Sequence, residues 1–151
     1  MTLSEKVNVD LKTAMKAGDK PRLETLRMLR AQIIEFEKRG LGRAMSEEDE
    51  LSILMTANKK RKEAIEMYQS AGRKDLVDKE TKELEIISEY LPKQVSQEDA
   101  TAIIEKIIAQ SGAASVKDLG KVMPLAMKEL KGKIDSKVIS DIVKLKLTPQ
   151  A

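Results

Sequence analysis

Six lysines fall between Lys117 and Lys137, against three carboxylates, Asp118, Glu129 and Asp135. Read as a helix at about 100° per residue, Lys117, Lys121, Lys128 and Lys131 land within roughly 80° of one another, while Leu119, Val122, Ala126 and Leu130 fall on the opposite side. Such a segment buries one face and presents cations on the other, with Lys133 following beyond a glycine turn. The chemistry open to it is electrostatic, ammonium groups meeting the phosphates of a polyanion. An ordinary solvated face gives the same pattern, and periodicity leaves both readings open. Pro124 interrupts the segment: inside a helix it leaves the Gly120 carbonyl without its donor and kinks the axis, or it starts a new helix after a break at Met123.

Other chemistries are narrowed by what the chain lacks. It has no cysteine and no histidine, so disulfides, thiolate nucleophiles, zinc–thiolate sites, the usual general base and the commonest metal ligand are all missing. No P-loop, dinucleotide fingerprint or Ser-His arrangement occurs. No catalytic residue, metal site or cofactor is expected. The acidic run Glu47, Glu48, Asp49 and Glu50 opens a predicted helix, where it complements the helix dipole. Lys59, Lys60, Arg61 and Lys62 spread over about 300° of a helix and have Glu63 and Glu66 one turn away, so they read as a solvated face. Residues 96–151 contain no Phe, Tyr, Trp or Arg. An RNA partner of that segment is therefore met through backbone and shape, not by stacking on bases or bidentate reading of guanine. No DNA partner is expected.

The elements that position these residues are helices. The chain is 41% hydrophobic but only 2% aromatic and 35% charged, a composition that suits helices and argues against a β-sandwich or barrel. Thr2 with Glu5 caps a first helix that Gly18 ends; Asp19 and Pro21 start a second, broken by Gly40 and Gly42. Ser46 with Asp49 caps a long third helix burying Leu51, Leu54, Met55, Ile65 and Tyr68. After Gly72, Asp75 with Asp78 opens a fourth, which buries Val77, Leu84, Ile87 and Leu91. Leu91-Pro92 stops it, and Pro92-Lys93-Gln94-Val95 reads as a semi-rigid joint. Beyond it Ser96, Ser115 and Asp135 cap three shorter helices, the last with Val138, Ile142 and Val143 facing in and Pro149 past its end. The expected architecture is all-α and two-part. Residues 1–92 form an elongated domain of about four helices, and residues 96–151 form a small three-helix bundle. Net charge is only +3, and residues 1–95 nearly balance with 19 basic and 18 acidic side chains. With Glu5 and Asp10 at the start and no long apolar run, a cytoplasmic protein without membrane association is expected.

Several motifs resemble the GatB/YqeY-like family. Lys60-Arg61-Lys62-Glu63-Ala64-Ile65, Arg73-Lys74-Asp75-Leu76, Glu80, Glu83 and Glu85 ahead of Tyr90-Leu91-Pro92-Lys93-Gln94 are similar to its N-terminal part. Gly112-Ala113, Lys117-Asp118-Leu119-Gly120-Lys121-Val122-Met123 and Lys131-Gly132-Lys133-Ile134-Asp135 are similar to its C-terminal signature. Pro124, Ile134 and Ser136 depart from the family's small residues and glycine. The resemblance implies a stand-alone relative of the tail of the aspartyl/glutamyl-tRNA amidotransferase B subunit, a tail that helps hold tRNA and is not catalytic. It implies tRNA backbone contacts through Lys117, Gly120, Lys121, Lys128, Lys131, Gly132 and Lys133, the glycines allowing close approach. It also implies a translation accessory role with no activity of the chain alone. The family's label, a carbon–nitrogen ligase with glutamine as amide donor, belongs to domains absent here; participation in such catalysis is the weakest reading. The alternative is a helical adaptor docking on an aminoacyl-tRNA synthetase or amidotransferase through Arg61, Tyr68 and Arg73.

Overall fold

The computed structural model describes residues 1–148, so Pro149 lies outside the described residues. The described chain is all-helical, seven α-helices and one 3-10 turn without a strand. They are α1 (Leu3–Ala17), α2 (Lys20–Glu37), α3 (Glu47–Ser70), α4 (Lys74–Ser88), α5 (Gln97–Ser111), the 3-10 turn Val116–Asp118, α6 (Leu119–Leu130) and α7 (Ser136–Leu147). Backbone contacts gather into two units, Met1–Leu91 and the chain from Pro92 onward.

Local chemistry sets the ends of most helices. Thr2 and Glu5 form a reciprocal capping box on α1, and Ser46 and Asp49 form one on α3, each satisfying amides that a helix start leaves bare. Gly18 and Gly112 close α1 and α5 with φ of 67° and 72°, a left-handed turn that strains any residue with a Cβ. The expected cap of α4 differs. Its N-cap is Arg73, which makes no side-chain cap bond, and Asp75 instead pairs with Arg73 at 3.0 Å. The Arg73 guanidinium is the main partner of that carboxylate and holds its pKa below the ordinary value, with the Leu76 and Asp75 amides adding to it.

In the first unit Val7, Leu26, Leu29, Ile33, Leu54, Ala57 and Ile87 are buried to 2% exposure or less. Polar ties fix the helices around them. The Leu3 amide donates to Glu50 Oε1 at 3.1 Å, Arg22 grips Glu89 through two bonds of 2.6 and 3.0 Å, and the Tyr90 hydroxyl donates to Asp10. Burial, then the Asp10 carboxylate, push the Tyr90 phenol well above its ordinary value. Two of the four carboxylates at the start of α3 are committed in such contacts. Asp49 holds Arg43 and, next, the Ser46 amide, which keep its carboxyl far below the usual range, and Glu50 holds α1. Asn58 is also buried, and its Oδ1 has no partner among the described residues.

The second unit packs α5, α6 and α7 around Ala100, Ile104, Val122, Ala126, Leu130, Ile139 and Val143, all fully buried. On α7 Ile142 and Val143 face in as expected and Val138 packs half-buried against the same core, while Ile139 joins them fully buried. Ile139, Ile142, Val143 and Leu147 are spaced to share one helix face, and all four are buried.

Candidate nucleic-acid interface

The lysine-bearing segment begins with a folded turn, not with α-helix. Ser115 and Asp118 form a capping box around Val116–Asp118, and Asp118 Oδ2 accepts from the Ala114 and Ser115 amides at 2.8 and 3.3 Å. Those amides, with Lys121 contributing, hold the Asp118 carboxyl below the usual range. The carboxylate that adjoins Lys117 in sequence is thereby engaged with backbone.

From Leu119 the chain is α-helical through Leu130, with Pro124 inside an unbroken helix. Val122, Ala126 and Leu130 carry the buried face. Lys121 and Lys128, both exposed, lie two turns apart, about 20° apart in azimuth and about 10 Å along the axis. Exposed Pro124 and Leu125 lie between them on that face.

The expectation of one helix from Lys117 to Lys131 is corrected at both ends. Lys117 sits in the 3-10 turn, where rotation per residue differs from the α value. Lys131 is the C-cap of α6, with ψ of 127°. Only Lys121 and Lys128 keep the α-helical register, while Lys117 and Lys131 flank it and Lys133, half-buried, lies beyond the turn. Lys117, Lys121, Lys128 and Lys133 have no carboxylate within ion-pair distance among the described residues. By contrast Arg22, Arg43, Arg61 and Arg73 in the first unit are all ion-paired.

The two glycines have different positions. Gly120 is exposed, with open space around its α-carbon. Gly132 is buried at φ of 75°, and its carbonyl accepts from Gln94 Nε2 at 2.7 Å. The Val95 amide donates to the next carbonyl, that of Lys133, at 2.9 Å. Gln94 and Val95 thus strap the turn that orients Lys131 and Lys133. In the sequence both read only as joint residues, since a contact spanning 38 positions leaves no local signal. Of the residues expected to dock a protein, Arg61 is taken by Glu83 at 3.1 Å and Glu80 at 3.7 Å. Tyr68 is half-buried, and Arg73 is exposed on Asp75.

Among the described residues, no group of three or more acidic side chains is placed to hold a metal ion, and no helix is long and apolar enough to cross a membrane. What fold and surface define together is a class, an all-helical protein with a lysine-bearing edge on its second unit. More narrowly, the chain belongs to the Yqey-like protein family, whose pattern matches residues 4–147. It is 29% identical over 142 residues, 89% of this chain and 75% of the relative, to "Altered inheritance of mitochondria protein 41, mitochondrial" of Pyrenophora tritici-repentis. It is 31% identical over 83 residues, 55% of this chain and 67% of the relative, to a Schizosaccharomyces pombe protein described as uncharacterized.

Proposed function

We propose that this chain is a non-catalytic accessory protein that binds tRNA through its phosphate backbone. The observation that carries the reading is the pair Lys121 and Lys128, two turns apart on one exposed face of α6, neither in an ion pair among the described residues. Their separation lets each meet its own phosphate, and Lys117 and Lys133 widen the cationic edge. Without Arg or aromatic side chains in this unit, recognition is of a folded RNA's backbone and not of its bases. The cytoplasm is the proposed setting. The name of the Pyrenophora relative places that protein in mitochondria, and tRNA is present in both compartments.

Titration of total tRNA against the full chain at several salt concentrations tests this. Affinity is expected to fall steeply with salt, and Lys121→Glu or Lys128→Glu each to lower the logarithmic salt slope by about one. Lys62→Glu, on exposed α3, is expected to leave it unchanged. Salt-independent binding, or two silent charge reversals, would remove the proposal. An adaptor role is supported by one feature, Met67, which is 67% exposed next to Tyr68 near the end of α3. Capture of a synthetase or amidotransferase that is lost in Met67→Asp would favour it.

A further inference from the structure

A second cluster of uncommitted side chains lies in the first unit, far in sequence from the lysine edge. Toward the end of α2, Phe36 faces a groove against α3, and Ile53 of α3 completes an apolar, half-buried floor. Arg39, just past α2, and Lys60, on α3, bring a cation to each wall, and Ser52 and Thr56 add hydroxyls on the α3 side. The Arg39 guanidinium lies over the Phe36 ring, 5.5 Å from its centroid, and not against Glu35 one turn back. In that position its side-chain donors have no partner among the described residues. Among the described residues, Gln32, Glu35, Ser52, Thr56 and Lys60 make no side-chain hydrogen bond or ion pair. The groove therefore combines an aromatic floor with donors on both walls that no described residue uses.

We propose that this groove binds a small free oxyanion carrying a single apolar ring, its charge held between Arg39 and Lys60 and its ring resting on Phe36 and Ile53. Two cations against the one carboxylate of Glu35 leave the walls net positive, which selects an anion. The volume of about 280 Å³ lies at the lower limit of ligand pockets, roughly 300 Å³, so the ligand is one ring and an acidic group. An Arg edge matches carboxylate and phosphate alike, since both accept two parallel bonds.

Titration of the isotope-labelled full chain with phenyl phosphate, benzoate, inorganic phosphate and phenol, followed by amide chemical shifts, tests the proposal. Phenyl phosphate or benzoate is expected to saturate shifts at Phe36, Arg39, Ser52 and Thr56 with a dissociation constant on the order of 1 mM. Arg39→Gln and Lys60→Gln should each weaken that binding about tenfold, and Lys12→Gln, on exposed α1, should not. Both substituted residues are exposed, so the fold tolerates them. The proposal is overturned if no saturable shift occurs there or if the shifts centre on Lys121 and Lys128. It is equally overturned if inorganic phosphate binds as tightly as the ring-bearing probes, because surface cations alone would then suffice.

Discussion

At Arg61 one guanidinium serves two carboxylates. Its Nε lies 3.1 Å from Glu83 and 3.7 Å from Glu80, and the three side chains are only 15–19% exposed. Burial, and then repulsion from Glu83, raise the Glu80 carboxyl above its ordinary value of 4.5. Arg61→Ala leaves two half-buried carboxylates facing each other and is expected to cost about 2 kcal/mol at neutral pH. The sign of the pH dependence follows from the raised value. The folded state holds a proton on Glu80 more readily than the unfolded chain, so this group's contribution is full below 4.5 and is lost as pH rises through the folded value. Removing Arg61 raises that value further. The deficit of Arg61→Ala in urea unfolding should therefore be smaller near about pH 5 than near about pH 7; equal deficits would show that charge coupling is not what Arg61 provides.

At the scale of the element, Pro124 tests what α6 tolerates. The helix runs unbroken from Leu119 to Leu130, so Pro124 denies the Gly120 carbonyl its donor. Gly120 is exposed, which lets water take that carbonyl and limits the penalty. Pro124→Ala is expected to raise stability by about 1–2 kcal/mol, the regained bond being partly offset by greater freedom of the unfolded chain. The salt slope of tRNA binding should not move, since Lys121 and Lys128 already share a face. A lower urea midpoint would mean that proline's restriction of the unfolded chain outweighs the lost bond. Helix starts and stops were legible in the sequence, because Thr2 with Glu5, Ser46 with Asp49, Ser96 and Gly112 act within four residues of themselves. On α7 Ile142 and Val143 were legible too, but the full burial of Ile139 was not: it and Val138 are both apolar, and only the partner helices decide which is the more deeply buried. The tie of Arg61 to α4, the strap from Gln94 to Gly132 and the break in register at Lys117 depend on residues far apart or on the choice between 3-10 and α turns, which periodicity does not encode.

For the whole molecule, the open quantity is whether the two units unfold together. Leu91 packs in the first core and Val95 against the second, so only Pro92, Lys93 and Gln94 separate residues committed to different clusters. Pro92 has no amide to donate, and Gln94 and the Val95 amide are bonded to the turn at Gly132 and Lys133. Each cluster also holds fully buried isoleucines, Ile87 in the first and Ile104 in the second. Truncating either to alanine is expected to cost about 2–4 kcal/mol. If each core supports its own unit, Ile104→Ala in the full chain speeds amide exchange across α5, α6 and α7 and leaves α1–α4 protected, while Ile87→Ala does the reverse. Exchange that accelerates in all seven helices for both variants would instead make the protein one cooperative body. In the two-unit case, a lysine edge on the second unit stays formed while the first opens. tRNA affinity should then survive Ile87→Ala and fall with Ile104→Ala, which ties the folding prediction to the binding titration in one pair of variants.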